Sequence, residues 1–75
     1  MPDLHVIPDP RKATWQVREG DDAEPRSEHA TAGEAEVEAR RRADSRDFER
    51  IVIHDRYART RELIRRGRAW LQRGH

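Results

Sequence analysis

Three histidines lie in short segments that could bring them close together. His5 occurs in "LHVIP", His29 in "SEHA" and His54 in "RIVIHD". Imidazole nitrogens are common zinc ligands, and His5 and His54 would be neighbours if their two strands were adjacent. However, no two of these histidines have the short spacing of a preformed zinc motif. The simpler interpretation is that each histidine hydrogen-bonds locally, and we predict no metal site and no cofactor.

Catalytic residues are not indicated elsewhere in the chain. Ser27 and His29 are close in sequence, but no organised acid accompanies them, and the chain has no nucleophile elbow and no phosphate-binding glycine loop. Glu34, Glu36 and Glu38 fit the start and the solvated face of a helix. A domain this small offers little concavity in which two carboxylates could be held in different environments. We therefore predict that the protein is not an enzyme.

The C-terminal segment carries most of the positive charge. Residues 56–75 contain seven Arg and one Glu, a net charge of +6, whereas residues 1–55 contain nine basic and fourteen acidic side chains, a net charge of −5. Guanidinium groups suit phosphate, and clustered charge gives affinity that does not depend on base sequence. The candidate nucleic-acid contacts are Arg59, Arg61, Arg65, Arg66, Arg68 and Arg73.

The same segment has an apolar periodicity typical of a helix. Positions i, i+1, i+4, i+7 and i+8 are Leu63, Ile64, Gly67, Trp70 and Leu71. After His54 the chain could turn into another strand over residues 56–63 or enter a helix near Thr60. The spacing favours the second, an amphipathic helix over residues 60–73, with the glycine costing about 1 kcal/mol relative to Ala. Such a short helix needs a docking surface, either in the same chain or in a second copy. The candidate interface residues are Leu63, Ile64, Trp70 and Leu71.

The first half of the chain predicts short strands. "LHVIP" and "TWQVRE" alternate between their two sides, with Leu4 and Val6 on one side of the first strand and His5 and Ile7 on the other. "PRSEHA" is a candidate for a short third strand. The continuous apolar run 51–53 predicts a strand that is central in the sheet or covered on both faces.

One helix is strongly indicated over residues 31–46. Thr31 and Glu34 have the spacing of a capping box. Four alanines follow on one stripe, which lets the helix axis approach a sheet closely; they are Ala32, Ala35, Ala39 and Ala43.

Length and composition limit the class of protein. The chain has 75 residues, of which 33% are apolar and 41% charged, so we expect one small domain with a modest core. There is no Cys and no apolar run of signal-peptide or membrane-spanning length, so we expect a cytoplasmic protein without a membrane partner. The predicted fold is α+β: an antiparallel sheet of three or four strands, the helix of residues 31–46 on one face, and the C-terminal helix of residues 60–73.

Four pieces of the sequence, taken in order, resemble one family. "LHVIP", "TWQVREG", "SEHATAGEAEVEARRRA" and "RIVIHD" are similar to motifs of a widespread family of small bacterial and phage proteins with an uncharacterised domain. The resemblance covers residues 4–55 and implies a small α+β fold with no established activity. Family members usually continue with an Asp-Gly turn and a short closing strand, where this chain has Tyr57-Ala58. We therefore divide the chain into a domain of residues 1–58 and a basic extension of residues 59–75.

The combined expectation for function is a small non-enzymatic binding module. The basic segment favours association with nucleic acid. The apolar positions of the same segment favour the alternative, a homo-oligomeric or protein-interaction module.

Overall fold

The chain forms a six-stranded mixed sheet with one helix across one face in the computed structural model. The structure describes residues 3–20, 24–46, 48–57 and 59–74. In chain order the elements are β1 (Leu4–Asp9), β2 (Thr14–Glu19), β3 (Ser27–His29), α1 (Ala32–Arg46), β4 (Arg50–His54), β5 (Thr60–Arg66) and β6 (Ala69–Gly74). The strands lie in the order β3-β2-β1-β4-β5-β6.

The position of α1 follows from the one parallel pair in the sheet. β4 runs parallel to β1, whereas the other neighbouring strands are antiparallel. Parallel neighbours need a crossover connection, and α1 provides it by passing over the sheet from the β3 edge to β4. The helix consequently packs on the first four strands, and β5 and β6 lie beyond it.

The N-terminus and the buried stripe of α1 are as the sequence predicts. The backbone N–H of Glu34 donates to Thr31 Oγ1 at 3.1 Å, and the Thr31 hydroxyl donates to Glu34 Oε1 at 3.3 Å. Ala35, Ala39 and Ala43 are fully buried against the sheet. Small side chains on this stripe let the helix lie close to the strands, so the core is thin.

Alternating residues of the strands complete this core. Its larger members come from four strands and from the segment after the helix: Leu4, Val6, Trp15, Val17, Phe48, Ile51, Ile53 and Leu63. Because Leu63 lies in β5 and is 2% exposed, the C-terminal segment contributes directly to the core.

The predicted C-terminal helix and the predicted sheet of three or four antiparallel strands are wrong. Residues 60–66 and 69–74 form a β-hairpin that adds two strands to the sheet, and the β1–β4 pair makes the sheet mixed. The two-residue turn is Gly67-Arg68, in which Gly67 has a φ of 62°. Glycine adopts this backbone without strain, and glycine at the first turn position suits a tight hairpin.

The prediction of a helix was wrong because the same apolar spacing fits a hairpin equally well. Neighbouring apolar residues such as Leu63 and Ile64 point to opposite faces of a strand. The turn then brings Leu71 opposite Ile64, and Trp70 opposite Arg65. The separate units of residues 1–58 and 59–75 stay a prediction.

Among the described residues, no helix is long and apolar enough to cross a membrane.

Candidate interaction surface

The two faces of the sheet have different surroundings. Residues paired across neighbouring strands share a face, so the strand register assigns each side chain to the helix side or to the other side. We call the side away from α1 the open face. Its central residues come from β1, β4, β5 and β6, and they are His5, Ile7, Val52, His54, Ile64 and Leu71. No other element among the described residues packs on it.

The four apolar residues predicted as an interface are divided between these faces. Leu63 and Trp70 lie on the helix side, where Leu63 is in the core and Trp70 packs against it. Ile64 and Leu71 are paired with each other on the open face. Leu71 is 53% exposed and Ile64 is partly exposed, so these two remain accessible to a partner.

Two of the predicted nucleic-acid contacts are engaged within the fold. Arg61 Nη2 lies 2.8 Å from Glu36 Oε1, and its Nη1 donates to Gln72 Oε1 at 3.1 Å. These contacts attach β5 and β6 to the helix. Arg61 is therefore held mainly by internal partners.

Arg65 is tied even more closely. It donates from Nη2 to the carbonyl of Ala43 at 2.7 Å and from Nε to the carbonyl of Phe48 at 3.2 Å. Its guanidinium also lies 3.0 Å from Asp44 Oδ1 and 5.0 Å from the Trp70 ring centroid. A cation that bonds the last turn of a helix satisfies carbonyls that lack an intrahelical partner. Arg65 therefore holds the helix C-terminus to the hairpin.

Arg59 has a local partner in the turn between β4 and β5. Asp55 accepts the backbone N–H groups of Arg59 at 2.9 Å and of Tyr57 at 2.8 Å, and Arg59 Nε lies 2.9 Å from Asp55 Oδ2. The hydrogen bond from the Arg59 backbone lowers the pKa of Asp55, with smaller contributions from Tyr57 and from the Arg59 side chain. The carboxylate thus stabilises the turn.

The remaining three predicted contacts form no ion pairs with the described residues. Arg66, Arg68 and Arg73 are exposed, and they form no ion pair or side-chain hydrogen bond with the residues that the structure describes. Arg66 and Arg73 lie on the open face, opposite Ala69 and Glu62 respectively, and Arg68 lies in the hairpin turn. Glu62 in turn pairs with Arg50, whose Nη1 is 3.4 Å from Glu62 Oε2.

Sequence reasoning missed two further arginines of the open face. Arg50 bridges Asp3 and Glu62, and Arg18 on β2 donates to Gln16 Oε1 at 3.0 Å and 2.8 Å. Both residues could have been found from strand alternation, since Arg18 follows Val17 and Arg50 precedes Ile51. They were missed because charge was counted along the chain and not by face.

Two of the three histidines are brought together on the open face. His5 Nδ1 lies 3.2 Å from His54 Nε2, and the ring centroids are 5.4 Å apart. Burial lowers the pKa of His54, and the nearby charge of His5 adds to this effect. A hydrogen bond between two imidazoles requires at least one to be neutral.

The third histidine lies elsewhere, so the three do not form one cluster. His29 pairs with Trp15 on the helix side of the edge strand β3, and its Nε2 is 2.9 Å from Ser27 Oγ. Among the described residues there is no group of three or more His, Asp or Glu side chains that could hold a metal ion.

A shallow cavity of about 320 Å³ lies near the β1–β2 turn and the start of the β4–β5 turn. Its lining is Pro8, Asp9, Pro10, Ala13, Thr14, Asp55 and Arg56. Its two carboxylates are already occupied: Asp9 accepts from Gln16 and from the backbone of Arg11, and Asp55 holds the turn between β4 and β5.

One family model matches this chain. The family described as "Uncharacterized protein conserved in bacteria (DUF2188)" covers residues 4–70, and the chain belongs to this family. The match extends past residue 55 and takes in β5 and the start of β6. No curated protein and no solved structure matches the chain.

Proposed function

We propose that this member of the DUF2188 family is a non-enzymatic binding module that contacts nucleic-acid phosphates through the hairpin of β5 and β6. The principal contacts are Arg66, Arg68 and Arg73. The observation that carries the proposal is the exposure of these three guanidinium groups, none of which forms an ion pair with a described residue, within a segment whose net charge is +6.

The distribution of internal ion pairs supports this choice of residues. Glu36, Asp44 and Asp55 neutralise Arg61, Arg65 and Arg59, and they leave the charge at the turn and on the open face. Arginine is suited to phosphate because its planar fork donates two parallel hydrogen bonds. A cluster that has no internal partner attracts anions more strongly than one that is already paired.

The aromatic residues favour phosphate contact over base stacking. Trp15 and Trp70 lie on the helix side of the sheet and Phe48 is in the core, whereas Tyr57 is 77% exposed. Stacking platforms for single-stranded nucleic acid need several aromatic rings on one accessible face. We therefore propose binding that depends on the phosphate backbone and shows little base preference.

A second candidate function is a homo-oligomeric or protein-interaction module that uses the open face. Ile64 and Leu71 support it, because they form an accessible apolar pair on a sheet face that no described element covers. Salt dependence separates the two candidates. Phosphate-driven binding weakens steeply as salt rises, whereas apolar association does not.

The direct test is a titration of fluorescently labelled DNA and RNA of mixed sequence at low salt. The double variant R66Q/R68Q should bind roughly tenfold more weakly than the unmodified protein, because two phosphate contacts are lost. The control is R11Q/R41Q, which removes the same formal charge at exposed positions outside the hairpin; Arg41, unlike Arg66 and Arg68, is ion-paired, with Glu38. Equal losses in both variants would show that net charge matters and the hairpin does not. Absence of binding by the unmodified protein would refute the proposal.

We also propose that the protein acts in the cytoplasm, a proposal that rests on the sequence alone.

A further inference from the structure

β6 is an edge strand whose outer side has no partner in the part of the chain that the structure describes. It pairs with β5 on one side, and the strand order ends there. The other edge, β3, has three residues, whereas β6 has six. Proteins usually protect a long edge with proline, a bulge, a covering element or several charges. β6 contains no proline, its register with β5 is unbroken, and Arg73 is its single charged residue.

We infer that β6 pairs with β6 of a second copy of this chain, antiparallel and about a two-fold axis that passes midway between the Leu71 residues of the two copies. A two-fold axis perpendicular to the sheet makes the two strands antiparallel and keeps both helices on the same side. The two sheets then join into one sheet of twelve strands. The inference deepens the second of the functions proposed above and does not depend on nucleic-acid binding.

The requirement that paired residues share a face limits the register. Leu71 faces the open side and Gln72 faces the helix side, so a residue pairs only with one of the same parity in the second copy. The two registers with the longest overlap have either Leu71 or Gln72 opposite itself. Changing from one register to the other gives every residue of β6 a different partner in the second copy.

Burial favours the register centred on Leu71. This residue is 53% exposed, and in that register it packs on Leu71 of the second copy. The row Ile64–Leu71 then continues into the matching row of the second copy, so four apolar side chains lie side by side across the junction. In the register centred on Gln72, Leu71 would lie opposite Arg73. Directly opposed apolar pairs stabilise a sheet more than a leucine beside a guanidinium.

The charges are compatible with the same register. Arg73 lies opposite Ala69 of the second copy, so no two arginines are directly opposed across the junction. Ala69 is also the partner of Arg66 within its own chain. Arg66 of one copy and Arg73 of the other therefore flank the same alanine on the open face. The dimer joins the unpaired arginines of both copies into one basic strip.

The absence of cysteine from the chain makes a sharp test available. Directly opposed residues of antiparallel strands have Cα atoms about 4.5–5.5 Å apart, which is within the range that a disulfide requires. We expect the variant L71C to form a covalent dimer rapidly under mild oxidation. The matched control Q72C is also exposed, but its two copies would be offset by two residues and separated by about 8 Å, too far for a disulfide. Any covalent dimer of Q72C would therefore form only through random collisions between molecules.

Sedimentation of the unmodified protein at rising concentration in high salt completes the experiment. The inference predicts a dimer that forms with concentration, together with cross-linking of L71C at least tenfold faster than that of Q72C. A dimer in which Q72C cross-links faster, or in which neither does, would overturn the register and leave the oligomeric function standing. A monomer at every concentration would overturn both. Urea unfolding of each cysteine variant checks that it is folded as the unmodified protein is.

Discussion

Arg65 and Arg66 are neighbours in the chain and have opposite roles. Arg65 bonds the carbonyls of Ala43 and Phe48 and stacks on Trp70, whereas Arg66 has no partner among the described residues. Strand alternation causes the difference, because adjacent residues face opposite sides of the sheet. Equal charge at adjacent positions therefore does not imply equal function.

This difference predicts unequal effects on stability. Arg65→Ala should lower the free energy of unfolding by about 1–3 kcal/mol, because the carbonyls of Phe48 and Ala43 lose the Arg65 donor and the Trp70 ring loses its cation. The Ala43 carbonyl keeps its hydrogen bond from the backbone N–H of Phe48 at 3.1 Å. Arg66→Ala should change it by less than about 0.5 kcal/mol, as exposed substitutions usually do. Urea unfolding measures both values. Equal effects of the two substitutions would contradict the assignment of Arg65 to the fold.

The histidine pair predicts a pH dependence of stability. The pKa of His54 is lowered in the folded protein by burial and, to a smaller extent, by His5, and it returns to about 6.5 on unfolding. The unfolded chain therefore binds this proton first as the pH falls. The contribution to stability is fully present above the unfolded pKa and is lost as the pH falls through the folded pKa.

Urea midpoints at about pH 7.5 and about pH 5.5 test this expectation. The midpoint should fall with pH in the unmodified protein, and His54→Gln should reduce that fall. His29→Gln is the control, since it replaces a histidine that lies on the other face at the sheet edge, outside the pair. If the urea midpoint of the His54 variant fell with pH as much as that of the unmodified protein, the histidine pair would not be the cause of the fall.

The alanine stripe of α1 makes the helix–sheet contact sensitive to volume. Ala39 is fully buried, while Val37 on the same helix is 70% exposed. Ala39→Leu should cost about 1–3 kcal/mol by overpacking the core, and the control Val37→Leu should cost less than about 0.5 kcal/mol. Chemical denaturation measures both. If Ala39→Leu left stability unchanged, the stripe would not face the sheet.

Substitution of one glycine, Gly67, can distinguish the hairpin of β5 and β6 from a helix. Gly67 has a φ of 62°, and a Cβ added there would meet nothing within 4 Å, so the cost of Gly67→Ala comes from the backbone alone. We expect destabilisation by about 1 kcal/mol, because alanine rarely adopts this conformation. A helix would instead be stabilised by about 1 kcal/mol.

Gly33 is the internal control for that substitution. It lies in the first turn of α1, where an added Cβ would meet nothing within 4 Å, and its φ is not positive. Gly33→Ala should therefore stabilise the protein by up to about 1 kcal/mol, opposite in sign to Gly67→Ala. Stabilisation by both substitutions in thermal or urea unfolding would contradict the hairpin.

At the scale of the whole molecule, some parts of the fold can be predicted from local sequence patterns and others cannot. Thr31 and Glu34 act only on their own helix end, and Leu4 and Val6 alternate within one strand, so both elements were predicted correctly. The segment after His54 was predicted incorrectly because Leu63, Ile64, Trp70 and Leu71 fit a helical stripe and a hairpin alike. The choice between them depends on β4, which offers a free edge to β5, and on the backbone of Gly67.

The candidate interaction surface, like the fold, could be predicted only in part from the sequence. The charge of residues 56–75 identifies the basic segment, and alternation could have assigned its side chains to faces once strands were assumed. The commitment of Arg61 to Glu36 and of Arg65 to Ala43 could not be predicted, because it depends on where α1 crosses the sheet. The local spacing of residues carries no information about contacts between segments that are distant in the sequence.

The most direct measurement is the salt dependence of nucleic-acid affinity for the unmodified protein and for R66Q/R68Q/R73Q. For duplex DNA, the logarithm of the binding constant should fall linearly with the logarithm of the salt concentration. Each phosphate contact that is lost should reduce that slope by about 0.9. We therefore predict a slope that is shallower by roughly 2–3 in the triple variant. An affinity that does not change with salt, or an unchanged slope in the variant, would contradict phosphate binding by these three arginines.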